Sequence, residues 1–233
     1  MLRERHSVAG LLLWGALFLI GFAVVAWGVT SKVAWVDAFD IYWIDRIQSH
    51  IATPITWLAK TTTVLGDLKL IIVLTIIIAL VLFIKRLFAE GLWFGGTILF
   101  CGVILTSFMK KGFDRDRPEF LQLVEKTNGS FPSGHAVGTS LFYGLVGLVI
   151  ILTVSGAWKK ALIGLATSMV IVYVMLTRIY LGAHFPTDVV AGVCFGLASA
   201  FISVAVYIMV EERLRGVLHK IGIREKSRAD QGA

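Results

Sequence analysis

Three short polar stretches interrupt an otherwise apolar chain, and they hold the residue types that phosphoryl chemistry uses. They are Lys110 to Pro118 (KKGFDRDRP), Pro132 to His135 (PSGH) and Arg178 to Asp188 (RIYLGAHFPTD). His184 and Asp188 stand four positions apart, so a helical turn would put them on one face. The carboxylate could then accept from one ring nitrogen and leave the other basic. That pairing makes an imidazole a nucleophile toward phosphorus. The plainer reading is a capping histidine beside an interfacial aspartate. His135 follows Pro132 and Gly134 at the mouth of a hydrophobic span, where it could protonate a leaving oxygen. Ser133 is placed either to cap that helix or to donate to a phosphate oxygen. The first N–H groups of such a helix lack internal partners and favour an anion.

Lys110, Arg117 and Arg178 supply positive charge. A guanidinium fork matches phosphate oxygens two at a time, whereas lysine acts as a point charge. Lys111 and Arg115 fit bilayer snorkelling equally well. Asp114 and Asp116 are expected to pair with these cations or to solvate the loop. Cations in this number already neutralise a phosphate, so neither a metal nor another cofactor is expected.

These motifs sit at the ends of hydrophobic spans. The chain has 233 residues, 57% of them hydrophobic, with a mean hydropathy of +0.83. A soluble domain rarely exceeds about half apolar residues. The net charge of +7 suits residues that anchor spans in a bilayer, and no nucleic-acid partner is expected. Cys101 and Cys194 lie inside apolar runs without metal or disulfide spacing. The pattern predicts an all-α, polytopic membrane bundle with six transmembrane helices, at about 9–29, 68–84, 91–109, 136–154, 161–177 and 187–209. The first run is long enough to span and lacks a cleavage site, so it reads as an uncleaved span. Between the first two spans, Phe39, Trp43, Ile47 and Ile51 recur every four positions. They mark either an interfacial helix or one packed on the bundle. Residues 1–210 read as one membrane domain and 211–233 as a mixed-charge tail. Gly192 and Gly196 read as a close-packing helix face.

An even span number puts both termini on one side. Lys85-Arg86 and Lys159-Lys160 abut span ends, where basic residues mark the cytoplasmic face. This predicts cytoplasmic termini and places all three motifs on the outer face of the membrane.

In order and spacing, the motifs resemble the type-2 phosphatidic acid phosphatase superfamily, which also includes glucose-6-phosphatase and vanadium haloperoxidases. Its signature is Lys-x6-Arg-Pro, then Pro-Ser-Gly-His, then Ser-Arg-x5-His-x3-Asp. Lys110 with Arg117-Pro118 matches the first part, and Pro132 to His135 match the second. Arg178, His184 and Asp188 match the third, with Thr177 where serine is usual. The resemblance implies that His184 is a nucleophile forming a phosphohistidine, that Asp188 orients it, and that His135 is the general acid. It implies phosphate binding by Lys110, Arg117, Ser133, Gly134 and Arg178, and no metal. Among bacterial members the chain is similar to the phosphatidylglycerophosphatase B and undecaprenyl-diphosphate phosphatase group. The substrate implied is a lipid phosphate held in the bilayer of a bacterial plasma membrane. A lipid-phosphate binder or carrier without hydrolysis is the competing expectation. The oligomeric state and the particular lipid have no sequence signal.

Overall fold

The structure is a computed structural model that describes residues 7–119, 122–124, 129–223 and 225. Arg3, Arg5, Lys126, Arg224, Lys226 and Arg228 therefore lie outside the described residues. Among the described residues every regular element is helical. Helix α1 (Val8–Thr30) starts where Ser7 Oγ accepts from the Gly10 amide at 3.2 Å. It has no polar face: Leu13, Trp14, Leu17, Ile20 and Trp27 all point outward. An all-round apolar helix on the outside of a bundle faces lipid.

Helices α2 (Ala34–Gln48) and α3 (Thr53–Thr62) follow, and a tight turn over Thr63–Gly66 leads into α4 (Leu68–Ile84). The next span, Phe88–Phe113, runs as α5 (Phe88–Thr97), a wide π-type segment (Ile98–Leu105) and α6 (Thr106–Phe113). Helices α7 (Gly134–Thr153), α8 (Ala157–Tyr180) and α9 (Pro186–Lys220) complete the bundle. Among the described residues, five helices are long and apolar enough to cross a membrane. A sixth crossing results if Thr53–Gly66 and Leu68–Ile84, bent by 42°, count as one span. Helix α4 alone is about 25 Å long, short for a hydrocarbon core of about 30 Å.

Helix α7 sits at the centre and packs against α8 and α9, while α9 also packs against α1. Leu141 and Leu145 of α7 meet Val204 and Ile208 of α9 in the main core. Glycines let α7 and α9 approach. A Cβ on Gly196 would stand 2.0 Å from Ser140 Oγ and 2.8 Å from the Val137 carbonyl. One on Gly192 would stand 2.8 Å from the Ser133 carbonyl. Close backbone approach at small residues is how membrane helices gain packing contacts.

Helix α2 packs on α8 and α9 and buries Val36, Asp40 and Ile44. Phe39 and Trp43 are exposed. Helix α9 continues past residue 210 to Lys220. Arg215 on that extension bonds Glu90, Glu211 at 3.0 Å and Glu225 at 2.8 Å, tying α9 to the start of α5.

Candidate active site

Two helix N-termini build the floor of the site. Ser133 caps α7, accepting from the Ala136 amide at 3.5 Å, and its own amide donates to the Asp188 carbonyl at 3.0 Å. The starts of α7 and α9 are thereby locked side by side. Pro186 occupies the first turn of α9, where its missing N–H costs nothing. Asp188 Oδ2 accepts from the Phe185 amide at 3.0 Å, closing that turn over His184.

His184 lies in the turn before α9 and is 3% exposed. Its Nδ1 faces Asp188 Oδ2 at 3.5 Å, longer than a formed hydrogen bond. Its Nε2 is 3.3 Å from Arg117 Nη1. Burial pushes the imidazole below its ordinary range, to about 4, against the upward pull of Asp188. The ring is therefore neutral at pH 7, with a lone pair available on one nitrogen.

The loop carrying Arg117 is stitched to the segment before α7. Ser130 Oγ donates to the Asp116 carbonyl at 2.8 Å, and the Ser130 amide to the Arg115 carbonyl at 2.8 Å. Lys110 Nζ, on the last turn of α6, donates to the Gly129 carbonyl at 2.7 Å. Arg117 donates to the Ala183 carbonyl and reaches Gly129 O at 3.4 Å. Burial lowers its pKa, opposed by Asp188, but a guanidinium starting so high stays charged.

Arg178 comes from the opposite wall, at the end of α8, and is 2% exposed. Its Nη1 donates to Thr63 Oγ1 at 3.0 Å. Nε and Nη2 are buried without a hydrogen-bond partner among the described residues. A buried guanidinium edge with unspent donors is costly unless an anion meets it. Thr177 keeps its hydroxyl bonded to the Val174 carbonyl at 2.7 Å and to Thr63 at 3.2 Å.

Lys110, Arg117, Gly134, His135, Arg178 and His184 together line one cavity of about 310 Å³. Asp188 stands behind His184, fully buried, and Ser133 sits beneath Gly134. All eight residues singled out in the sequence thus converge on one place. Asp67, Leu68 and Lys69, at the start of α4, complete the rim. Among the described residues, no group of three or more His, Cys, Asp or Glu is placed to hold a metal ion.

Residues 90–212 match the PAP2 superfamily. The chain belongs to the PAP2 superfamily. It is 31% identical over 143 residues to phosphatidylglycerophosphatase B of Bacillus subtilis, covering 60% of this chain and 69% of that one. It is 34% identical over 94 residues to an undecaprenyl-diphosphatase of Sulfolobus acidocaldarius, covering 40% and 41%. The fold matches the crystal structure of a transmembrane PAP2-type phosphatidylglycerolphosphate phosphatase from Bacillus subtilis with a TM-score of 0.70. That match has 24% identity and covers 89% of this chain and 96% of the other. This chain is a multi-pass membrane member of the PAP2 superfamily, with its signature residues around one cavity.

Three residues of the site escaped the sequence reading. Arg115, read there equally as a site cation or as snorkelling, bonds Asp188 Oδ1 at 2.6 Å and Asp40 Oδ2 at 2.8 Å. Asp40 and Thr63 come from segments outside the stretch matched to the PAP2 superfamily. Asp40's place at four-residue spacing between Val36 and Ile44, a charge on an apolar line, was the available signal.

Proposed function

We propose that the chain is an integral membrane lipid phosphatase that removes a terminal phosphate through a phosphohistidine, without a metal. The observation that carries this reading is the setting of His184. A neutral imidazole faces Asp188 with one nitrogen, and the cation-lined cavity with the other. The substrate phosphate sits between Lys110, Arg117 and the free edge of Arg178, over the N-terminus of α7 at Gly134. The His184 Nε2 lone pair attacks phosphorus and the bond from phosphorus to the lipid oxygen breaks. His135 gives its proton to that oxygen. Asp188 stabilises the positive charge that develops on the ring. Water then attacks phosphorus, His135 takes its proton, and the N–P bond breaks to return His184. The cations stabilise charge on the equatorial oxygens in both steps.

The substrate reading is phosphatidylglycerol phosphate, undecaprenyl diphosphate or phosphatidic acid. The named relatives are a phosphatidylglycerophosphatase and an undecaprenyl-diphosphatase, and the cavity opens at the ends of spans, where lipid headgroups lie. The active site faces away from the cytoplasm and both termini lie inside, in a bacterial plasma membrane. The basic pairs Lys85-Arg86 and Lys159-Lys160 at the far span ends support this orientation.

Phosphate release by purified protein from micellar lipid phosphates tests the reading, with chelator present and with His184→Ala as control. Release by the native protein and none by the variant is expected. Tight binding of the lipids with no release would leave a binder or carrier instead.

A further inference from the structure

Asp188 does not hold His184 alone. Its Oδ1 accepts from Arg115 Nη1 at 2.6 Å, and its Oδ2 accepts from the Phe185 amide at 3.0 Å. With each oxygen bound on a different side, the carboxylate plane cannot turn, and Oδ2 is kept toward the His184 ring. Arg115 is itself fixed. Its Nη2 donates to Asp40 Oδ2 at 2.8 Å, its Nη1 also donates to Thr187 Oγ1 at 2.8 Å, and its guanidinium carbon lies 4.1 Å from the Phe185 ring centre.

Asp40 closes the arrangement from a separate helix. It is 2% exposed on α2. Its Oδ1 accepts from the Thr187 amide at 2.8 Å, and its Oδ2 from Thr187 Oγ1 at 2.8 Å. The Thr187 amide is one of the orphan donors at the start of α9, so a carboxylate from α2 caps the helix that carries Asp188. Two buried carboxylates share one guanidinium here. Such a group is costly to bury, and replacing it with apolar residues is often neutral or stabilising. Stability alone is therefore weak ground for such a group.

We propose that Asp40 and Arg115 are positioning residues, which set the Asp188 carboxylate and through it the His184 ring. The proposal rests on His184 being the nucleophile. Asp40 lies in α2, before the region shared with the PAP2 superfamily at 90–212, so the outer helix becomes part of the reaction machinery and not only of the wall. Groups that orient a reacting side chain through another typically matter by about 10- to 100-fold.

The test measures kcat and KM for Asp40→Asn, Arg115→Lys and Arg115→Ala in detergent, together with the Tm of each. The expected result is a kcat lower by about 10- to 100-fold with KM within about threefold. Guanidinium ion added to Arg115→Ala should restore part of kcat. In the Asp188→Asn background, Asp40→Asn should cost little more, since the two act through one carboxylate. If Asp40→Asn does not fold, Arg115→Lys carries the test, because it keeps the charge and loses the fork. Unchanged kcat in folded variants would overturn the proposal. So would an equal further loss from Asp40→Asn in the Asp188→Asn background. Full activity of His184→Ala would instead remove the nucleophile reading beneath it, a distinct outcome.

Discussion

His184 and Asp188 meet across a closed turn rather than within a helix. Nδ1 stands 3.5 Å from Oδ2, and the Phe185 amide holds the same oxygen at 3.0 Å. The four-residue spacing therefore works through a helix N-terminus. The carboxylate that caps α9 also faces the ring.

The first prediction follows from this relationship. His184→Ala should lower kcat by roughly 10⁴-fold or more while the protein inserts and folds. Asp188→Asn should cost on the order of 10³- to 10⁴-fold, since an amide no longer selects the reactive tautomer. Turnover of purified variants on a micellar lipid phosphate is the measurement. Trapping with labelled substrate and alkaline quench should show phosphohistidine in the native protein and none in His184→Ala.

Arg178 offers a second prediction. Two of its nitrogens are buried with unspent donors, while Thr63 fixes the third. Arg178→Lys keeps one charge and loses the fork, so turnover should fall by roughly 10²-fold. Vanadate, which can adopt the five-coordinate geometry of phosphoryl transfer, should inhibit the native protein and bind Arg178→Lys more weakly. Inhibition constants for both proteins, in excess chelator, check this. Loss of native activity on chelation, restored by Mg²⁺, would remove the metal-free course.

The burial of His184 has a consequence for stability. Its folded pKa of about 4 lies below the unfolded value of about 6.5. Between those values the unfolded chain binds more protons, so unfolding is favoured as pH falls through that window. The loss attributable to His184 is at most about 3 kcal/mol at pH 4. The native Tm should therefore fall between pH 7 and pH 4 more steeply than that of His184→Gln. Thermal melts of the two proteins in one detergent measure the difference. Parallel curves would mean that the ring is protonated without strain.

Much of the site was legible because its signals are local. His184, Asp188, Ser133 and Gly134 lie at helix starts, where chain order fixes geometry, and Lys110 with Arg117 brackets one loop. Asp40 and Arg115 are 75 positions apart, and no periodicity links them. The sequence left the inward face of α2 open for a different reason. In a membrane protein an apolar stripe does not mark the interior, because lipid and headgroup zones also accept Phe39 and Trp43. The buried face is instead marked by Asp40, a charge that must find partners. The helix past residue 210 was hidden by its charges, which Arg215 in fact ties together.

Packing of α7 on α9 gives a fourth prediction. A Cβ at Gly196 would meet Ser140 Oγ at 2.0 Å and backbone at 2.8 Å, so relief requires the helices to move apart. Gly196→Ala should cost about 1–3 kcal/mol, read as a lower Tm in detergent. Gly95→Ala is the control, since nothing lies within 4 Å of its Cβ position and alanine favours a helix. It should be neutral or mildly stabilising. An unchanged Tm in Gly196→Ala would show that the helices can separate freely.

The orientation of the site is open to a direct test. Gln122 is exposed in the loop between α6 and α7, on the side of the cavity, and Lys159 is exposed at the start of α8, on the far side. In a background lacking Cys101 and Cys194, single cysteines at these positions report the two faces. With the site outside, Gln122→Cys should react with an impermeant thiol reagent in intact spheroplasts, and Lys159→Cys only after the membrane is opened. The opposite pattern would place the cavity in the cytoplasm. The substrate would then have to be a lipid phosphate of the inner leaflet, and Lys85-Arg86 and Lys159-Lys160 would sit on the outer face against the usual charge bias.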